Sequence, residues 1–342
     1  MILWKMVKYA DLEVGEKKII DSHPEIENDL NDCLSDYTAG CPQHETVRYT
    51  HLSPLKIAEK LFAKGYEKLS TYLIRQWLKL FGFCKRSMNR NIPLGQTPLR
   101  NEQFEYIALL KEEFRKRGLP ILSIDTKKKE LLGTFYRSGS YYSNTQINVH
   151  DHDFPSYAKG KVIPHGIYDI TTNRGYLSLG TTHDTSEFVC DNLEFFWIEH
   201  LQYQYPNADT ILLLCDGGGS NNCRHYLFKQ DLFLLAQKLD LKIVVAHYPT
   251  YCSKWNPIEH RLFSQISRAW DGLVFENIQI VKQHAEQTST KTGLEVIARI
   301  NDKNYKTGRK PDLSFKENIN QFVSFAQVIP KWNYWCSPKG KS

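Results

Sequence analysis

The chain has 342 residues, enough for one large domain or two ordinary ones, and its 41% hydrophobic and 13% aromatic content excludes a disordered protein. No apolar run approaches the roughly 20 residues of a membrane-spanning helix, and the N-terminal residues do not resemble a signal peptide. A cytoplasmic, nucleoid-associated protein without a membrane partner is therefore expected.

The net charge of +6 is unevenly distributed: residues 1–46 carry −6, residues 47–118 carry +9 and the remainder carries about +3. A basic block beside a larger, nearly balanced one indicates a nucleic-acid-binding region next to a catalytic region. The alternative is that the charge only solvates helix faces.

Residues 1–46 are interpreted as an acidic, partly ordered lead-in, and residues 47–118 as an all-α helix-turn-helix DNA-binding region with its connecting helix, Glu102–Arg117. Ser53-Pro54 is typical of a helix start, and Gly65 ends that helix. Ser70 or Thr71 caps a second helix, which Gly82 closes.

The second of these helices is expected to expose polar side chains that suit phosphate and base-edge contacts. The candidate DNA-binding residues here are Arg75, Gln76, Lys79, Lys85 and Arg86. A helical hairpin that merely has a basic surface is the alternative.

From residue 121 the pattern changes to short apolar strands and amphipathic helices in the order β-β-β-α-β-α-β-α. The predicted strands are 121–125, 162–170, 175–182, 210–216 and 241–249, and the predicted helices are 186–206, 224–239 and 257–270. The expected fold class is α/β, with a mixed β-sheet flanked by helices in a catalytic domain over 119–312. Residues 313–342 are interpreted as a C-terminal tail.

Three acidic residues stand at the ends of these elements. Asp125 ends the run LSID, Asp216 ends ILLLCD, and Glu259 lies in the first helical turn of SKWNPIEHRLF. In a ribonuclease-H-like sheet the first and fourth strands are neighbours, so the two aspartates would be adjacent and Glu259 would reach them. Such a carboxylate cage suits two Mg²⁺ ions, with Mn²⁺ as a substitute, that promote phosphodiester cleavage and joining.

Several neighbouring residues are candidates for supporting roles. Gly217, Gly218 and Asn221 belong to DGGGSN, whose glycines would let backbone approach a phosphate, or would simply make a flexible turn. His183 and Asp184, after the third strand, are candidates for supporting the acidic site.

Two further candidates would contact DNA directly. Lys127 and Lys128 would hold a DNA backbone near the metals, or form a solvated basic turn. Trp255 would stack on an unpaired base, or pack in the core.

The eight cysteines form no CxxC pair. They are interpreted as reduced packing residues rather than as metal ligands or disulfide partners.

Several longer motifs resemble those of the Rhodopirellula-type DDE transposases, the insertion-sequence group called IS-Azo-thirteen-like. The match runs from TAGCPQ (38–43) to KTGRKPD (306–312), and includes SIDTKKKELLGTF, HDFP, HDTSEF, DGGGSN, SKWNPIEHRLFS, TKTGL and the closing WNYWCSP. WNPIEH is also similar to the LNPIE segment of mariner-like transposases.

The resemblance implies a ribonuclease-H-like fold and Mg²⁺-dependent cleavage of transposon ends with strand transfer into target DNA. It places the family's acidic triad on Asp125, Asp216 and Glu259. Its implied partners are the terminal repeats and target DNA, bound by a homodimer or a larger assembly. Members of the family usually carry a further helical DNA-binding region before the TAG segment, where this chain has about 40 residues that are rich in acids.

Two other functions remain open from the sequence. One is a nuclease of the same fold that cuts strands without joining them. The other is a shortened, inactive transposon relic that still binds DNA.

Overall fold

The computed structural model describes residues 25–338 except 36–37, 42–43, 81, 87–97 and 219–222. The chain divides into two compact units, residues 1–91 and residues 92–342. Within the described ranges, no helix is both long enough and apolar enough to cross a membrane.

The described residues of the first unit form three helices and a two-stranded antiparallel hairpin. Its elements are α1 (Ile26–Ser35), β1 (Thr38–Cys41), β2 (His44–Thr50), α2 (Pro54–Ala63) and α3 (Thr71–Leu80). Its core is formed by apolar side chains of all three helices, including Leu30, Ile57, Leu61, Ile74 and Trp77. Helix α1 lies inside the predicted acidic lead-in, where its apolar positions recur at helical spacing.

Both predicted helix starts of this unit are confirmed in detail. The Ser53 hydroxyl accepts a hydrogen bond from the Lys56 amide at 3.3 Å, and the Ser70 hydroxyl accepts one from the Leu73 amide at 3.2 Å. Residues 64–70 join the two helices, a longer connection than the three or four residues typical of a helix-turn-helix. The helices are therefore established, whereas the helix-turn-helix motif stays a prediction.

The second unit is a mixed sheet covered by helices. Its strands are β3 (Ile121–Thr126), β4 (Glu130–Leu132), β5 (Gly160–Asp169), β6 (Arg174–Gly180), β7 (Thr210–Cys215), β8 (Lys242–His247), β9 (Glu295–Asn301), β10 (Ser324–Phe325) and β11 (Asn333–Cys336). Its helices are α4 (Arg100–Lys116), α5 (Ser186–Phe196), α6 (Tyr226–Leu239), α7 (Ser264–Ala269), α8 (Ile278–Glu286) and α9 (Leu313–Glu317). Helix α5 continues through a π-helical turn, Trp197–Leu201.

The strand order is β10-β11-β8-β7-β3-β5-β6-β9, and β4 pairs with β5. The first predicted strand, β3, runs parallel to the fourth, β7, which in turn runs parallel to β8, while β5 is antiparallel to both β3 and β6. The five predicted strands and the adjacency of the first and fourth are thus confirmed. The sequence prediction missed β9, and β10 and β11 form within the predicted C-terminal tail.

Helix α4, which the sequence prediction attached to the DNA-binding region, packs in the second unit. Its buried Gln103 donates from Nε2 to the His247 carbonyl at 2.9 Å and to the Asn333 side-chain oxygen at 2.8 Å. Asn333 returns a hydrogen bond to Gln103 at 2.7 Å. A helix, a central strand and the last strand are therefore held by one buried polar network.

Apolar side chains fill both faces of the sheet because successive strand residues point to opposite sides. Leu122 and Ile124 of β3 pack with α5 and α6 on one face. Ile121 packs on the other face with Leu212 and Leu214 of β7 and with α4. Asp125 is two positions from Ser123 and four from Ile121 along β3, and Asp216, directly after β7, is two positions from Leu214. Because alternate residues share a face, both carboxylates lie on the face that α4 covers.

The described cysteine side chains are free thiols, six of them buried and one, Cys84, exposed. The burial of six of them agrees with the prediction of packing residues.

Candidate active site

The two aspartates lie at the ends of neighbouring parallel strands. Asp125 is the fifth residue of β3, and Asp216 directly follows β7, whose Cys215 is paired with Ile124. Parallel strands end at the same edge of a sheet, so both side chains reach one location. The Thr126 amide donates to Asp125 Oδ1 at 2.7 Å, and the Gly218 amide donates to Asp216 Oδ1 at 3.0 Å.

Glu259 reaches the same location from a π-helical turn, Glu259–Phe263, that precedes α7. The turn is anchored by the buried side chains of Ile258, Leu262 and Phe263 against the sheet. The carboxyl groups of Glu259 and Asp125 lie close enough that each affects the pKa of the other. The structure brings the helix-borne glutamate near the strand-borne aspartate, and their joint role as site residues stays a prediction.

A buried polar link fixes this turn on β3. The Ser123 hydroxyl donates to Asn256 Oδ1 and accepts from the Ile258 amide at 3.1 Å. Asn256 Nδ2 donates to the Ile124 carbonyl at 3.3 Å, and the Asn256 carbonyl accepts from the Glu259 amide at 3.1 Å. Asn256 therefore connects the strand that carries Asp125 with the turn that carries Glu259.

Burial and mutual repulsion raise the pKa of these acids. Burial and the nearby charge of Asp216 raise the pKa of Asp125 to about 8, with smaller contributions from Glu259 and Asp184. Burial likewise raises the pKa of Asp216, and burial together with the Asp216 charge raises that of Glu259. A group of half-buried carboxylates that destabilise each other's charged forms would be stabilised by a cation.

The predicted supporting residues have different positions. Asp184 accepts a hydrogen bond from the Thr126 hydroxyl at 3.3 Å, which places it beside the strand end of Asp125. His183 turns away, with its Nδ1 2.9 Å from the Tyr305 carbonyl. Gly218 contacts Asp216 through its amide.

Gly217, the glycine of DGGGSN next to Asp216, lies against the segment that follows β8. A Cβ placed on Gly217 would stand 3.4 Å from the Tyr248 carbonyl. Asn221 lies outside the described residues.

The three predicted DNA contacts near the acids differ in accessibility. Lys127 forms an ion pair with Glu130 at 2.9 Å and covers the Trp270 ring, which leaves its side chain only 11% exposed. Lys128 is exposed. Trp255 is 53% exposed and packs edge-on against Phe104.

In the first unit, α3 buries Leu73, Ile74 and Trp77. The candidate DNA-binding residues lie elsewhere on its surface or follow it: Arg75, Lys79, Lys85 and Arg86 are exposed and Gln76 is partly exposed. Their contact with DNA stays a prediction.

The donor chemistry of the acidic site fits a divalent cation such as Mg²⁺, which prefers carboxylate oxygens. With the side chains as they stand, however, no three acidic, histidine or cysteine residues of the described ranges form a ready metal-binding group. The raised pKa of Asp125 favours its protonated form at neutral pH, and the ionised acid is the form that binds a cation.

Ser123, Asn256 and His247 were missed by the sequence prediction. His247 is fully buried, with its Nδ1 3.0 Å from the Asp216 carbonyl. The signal for Asn256 was available, because it lies within WNPIEH three residues before Glu259. Nothing in the local sequence of Ser123 or His247 indicates a partner 133 or 31 residues away.

Fold and site together define a mixed α/β protein with a carboxylate-rich site where two parallel strands end. The chain belongs to the family described as Rhodopirellula transposase DDE domain, whose model matches residues 29–338. By family it is a DDE transposase, an enzyme class that cleaves and transfers DNA. The predicted resemblance is thereby confirmed. No curated protein matches the chain.

Among solved structures, the chain is similar to a Mos1 transposase paired-end complex with left transposon end, with 16% identity, a TM-score of 0.42, and coverage of 76% of this chain and 70% of that one. A mariner Mos1 paired end complex with Mg shares 14% identity at a TM-score of 0.42, covering 84% and 75%. A Mos1 strand transfer complex shares 16% identity at a TM-score of 0.41, covering 75% and 68%.

Proposed function

We propose that this protein is a DNA transposase with a ribonuclease-H-like catalytic domain, which cleaves the ends of its element and transfers them to target DNA. The observation that carries the proposal is the convergence of Asp125, Asp216 and Glu259 from two adjacent strand ends and one helical turn. Family membership supplies the DNA substrate class.

Asp125, Asp216 and Glu259 are the proposed metal ligands and catalytic residues. When bound, Mg²⁺ or Mn²⁺ polarises the scissile phosphate and lowers the pKa of an attacking water or 3′-hydroxyl. The protein contributes by fixing the acids: the Gly218 amide orients the Asp216 carboxylate, and Asn256 positions the Glu259 turn. Asp184, beside Thr126, is proposed to support this group.

The proposed DNA contacts lie in both units. The first unit is the proposed helix-turn-helix region, with contacts through Arg75, Gln76, Lys79, Lys85 and Arg86. Near the acids, Lys128 and the exposed face of Trp255 are proposed to contact the backbone and an unpaired base. Two transposon ends must be brought together, so we propose a homodimer or larger assembly on DNA.

The test is strand cleavage by the full chain on DNA that carries the gene's own flanking sequences, with Mg²⁺ or Mn²⁺. Asp216→Asn is expected to lower cleavage by roughly a thousand-fold or more, since several kcal/mol of charge stabilisation depend on the metal. Asp209→Asn removes an exposed acid one strand length away and serves as the matched control. EDTA is expected to abolish cleavage by the parent.

Three results would contradict the proposal in different ways. Cleavage that survives Asp216→Asn would remove that residue from the site. Cleavage without insertion of the released 3′-hydroxyl into a second DNA would indicate a nuclease. Salt-sensitive DNA binding with no metal-dependent product would indicate an inactive relic.

A further inference from the structure

A second polar site lies on the outer side of the turn that carries Glu259. It is an open cleft of about 510 Å³ between that turn, α7, the β5–β6 connection and the loop before β9. We call it the basic cleft, and its lining residues are Asn173, His260, Arg261, Gln265, Arg268, Thr290, Lys291 and Thr292. The loop residues belong to the motif TKTGL, for which the proposed chemistry gives no role.

The cleft has a one-sided charge. Arg261, Arg268 and Lys291 are exposed cations, and no acidic residue lines the cleft. None of the three forms an ion pair with a carboxylate in the part of the chain that the structure describes. By contrast, the nearby Arg174 is paired with Glu295 at 2.8 Å and Lys282 with Glu286 at 2.8 Å. The cations of the cleft are therefore available to an external anion.

The walls of the cleft are ordered by hydrogen bonds. Tyr168 donates from its hydroxyl to Asn173 Oδ1 at 2.8 Å, and Asn173 Nδ2 donates to the Thr292 carbonyl at 2.9 Å. The Thr290 hydroxyl accepts from the Leu294 amide at 3.2 Å. Asn173 adopts a positive φ of 57°, which asparagine tolerates better than most residues. The part of the lining formed by Asn173 and the 290–292 loop is therefore held in place before any ligand binds.

The spacing of the arginines that line the cleft suits one kind of anion, the backbone phosphates of a DNA strand. Arg261 lies on the same helical turn as Glu259, and Arg268 lies nine residues beyond Glu259, roughly 13 Å along a helix axis. A DNA strand presents one phosphate for about every 3.4 Å of duplex axis. Arg261 and Arg268 are seven residues apart and line the same cleft, so neighbouring phosphates of a duplex that passes the outer side of this turn would meet both.

We propose that the basic cleft binds backbone phosphates of duplex DNA next to the site of cleavage, with Arg261, Arg268 and Lys291 as the contacting cations. This inference rests on the proposed function and adds to it a second DNA-contacting surface. The contacts are to phosphate, so they position the duplex without reading its sequence.

The experiment measures binding of the full chain to a duplex of arbitrary sequence in EDTA, over a range of salt concentrations. Each phosphate contact contributes about 0.9 to the slope of log affinity against log salt. The double variant Arg261→Ala/Arg268→Ala is expected to make the slope shallower by about 1.8. Arg268→Lys keeps the charge and is expected to keep the slope.

A matched control separates the cleft from the loss of charge in general. Lys238→Ala/Lys316→Ala removes two exposed cations from helices on the opposite face of the same sheet. It is expected to leave the slope unchanged, and thermal unfolding of both double variants checks that they fold.

The outcomes distinguish this inference from the function on which it rests. If the parent and Arg261→Ala/Arg268→Ala show the same slope of log affinity against log salt, the proposed role of the cleft is wrong. The transposase proposal is unaffected by that result. Equal losses in the cleft and control variants also overturn it, because the effect would then be net charge. A parent without salt-dependent DNA binding overturns both proposals.

Discussion

The Ser123 hydroxyl links the strand of Asp125 to the segment that precedes Glu259. It is fully buried and joins two segments that carry Asp125 and Glu259, through one donated and one accepted hydrogen bond. Side chains that approach from distant parts of the sequence need such links, because packing alone permits a turn to shift by fractions of an ångström.

Replacing Ser123 with alanine would leave two buried polar groups, Asn256 Oδ1 and the Ile258 amide, without their partner. We expect a loss of about 1–3 kcal/mol in the free energy of unfolding. We also expect a fall in the rate constant of metal-dependent cleavage, because the Glu259 turn loses an attachment to β3. Chemical denaturation and single-turnover cleavage would measure the two effects.

Ser178→Ala is the matched control at this scale. Ser178 is also a fully buried strand serine, and its hydroxyl accepts from Arg299 at 3.0 Å, on a strand that carries none of the three acids. It should lower stability while leaving the cleavage rate of the folded protein unchanged. Equal rates in both variants would show that Ser123 has only a structural role.

At the scale of elements, the position of Glu259 depends on how closely its helical turn, Glu259–Phe263, packs on strand β5. Gly166 is paired with Asp125 across the β3–β5 ladder. A Cβ at Gly166 would stand 2.5 Å from a Phe263 ring carbon and 2.9 Å from Ile258 Cδ1, closer than real contacts allow. Only glycine lets the turn pack this closely on the strand.

Gly166→Ala is therefore expected to push the turn outward, lowering stability by about 1–3 kcal/mol through overpacking and reducing metal-dependent cleavage. Gly160→Ala on the same strand is the control, since its Cβ would meet Leu132 at an ordinary 3.7 Å. Adding Phe263→Leu to Gly166→Ala should restore part of the cleavage rate. A Gly166→Ala variant as active as Gly160→Ala would contradict this account.

The elements that were predictable from the sequence are those with strong local signals. The apolar runs of β3 and β7 and the caps at Ser53 and Ser70 indicate their elements without any tertiary information. Strand β9 was missed although Val296 and Ala298 alternate with more exposed positions, because charged residues interrupt the run. The four-residue β11 is stabilised by pairing with β8 and by the distant Gln103, which no local pattern reveals.

In the candidate site, too, features with a local sequence signal were predictable, and features set by tertiary contacts were not. Asp125, Asp216 and Glu259 could be selected because each lies at the end of a recognisable element and within a family motif. The ion pair that withdraws Lys127 toward Glu130, and the orientation of His183 toward Tyr305, depend on how side chains pack after folding. Such contacts have no sequence period, so pattern alone cannot separate Lys127 from the exposed Lys128.

For the molecule as a whole, we expect the dependence of stability on pH to reflect titratable groups buried in the sheet. His165 lies in the middle of β5, fully buried, with neither ring nitrogen hydrogen-bonded to a described residue. Burial, with a smaller effect of the Arg299 charge, lowers the pKa of His165 to about 3. Burial also lowers the pKa of His247 to about 4.

A histidine whose pKa is lowered by folding binds fewer protons in the folded chain than in the unfolded chain. Below the unfolded pKa of 6.5, protons therefore favour unfolding, and stability falls until the pH reaches the folded pKa. Asp125 acts in the opposite direction, because its raised pKa lets the folded chain bind a proton that the unfolded chain releases. The contribution of His165 must therefore be isolated by comparing variants that share all the acids.

His165→Leu provides that comparison. At pH 7.5 its free energy of unfolding should lie within about 1 kcal/mol of the parent's, or exceed it, because an apolar side chain replaces two unsatisfied nitrogens. Between pH 5.5 and 4.5 the parent should lose about 1.4 kcal/mol relative to His165→Leu, the value of one pKa unit. His152→Gln, at an exposed histidine, should follow the parent. Parallel stability curves for the parent and His165→Leu would mean that His165 finds a proton acceptor or water in solution, and that its burial does not control the acid limit of the fold.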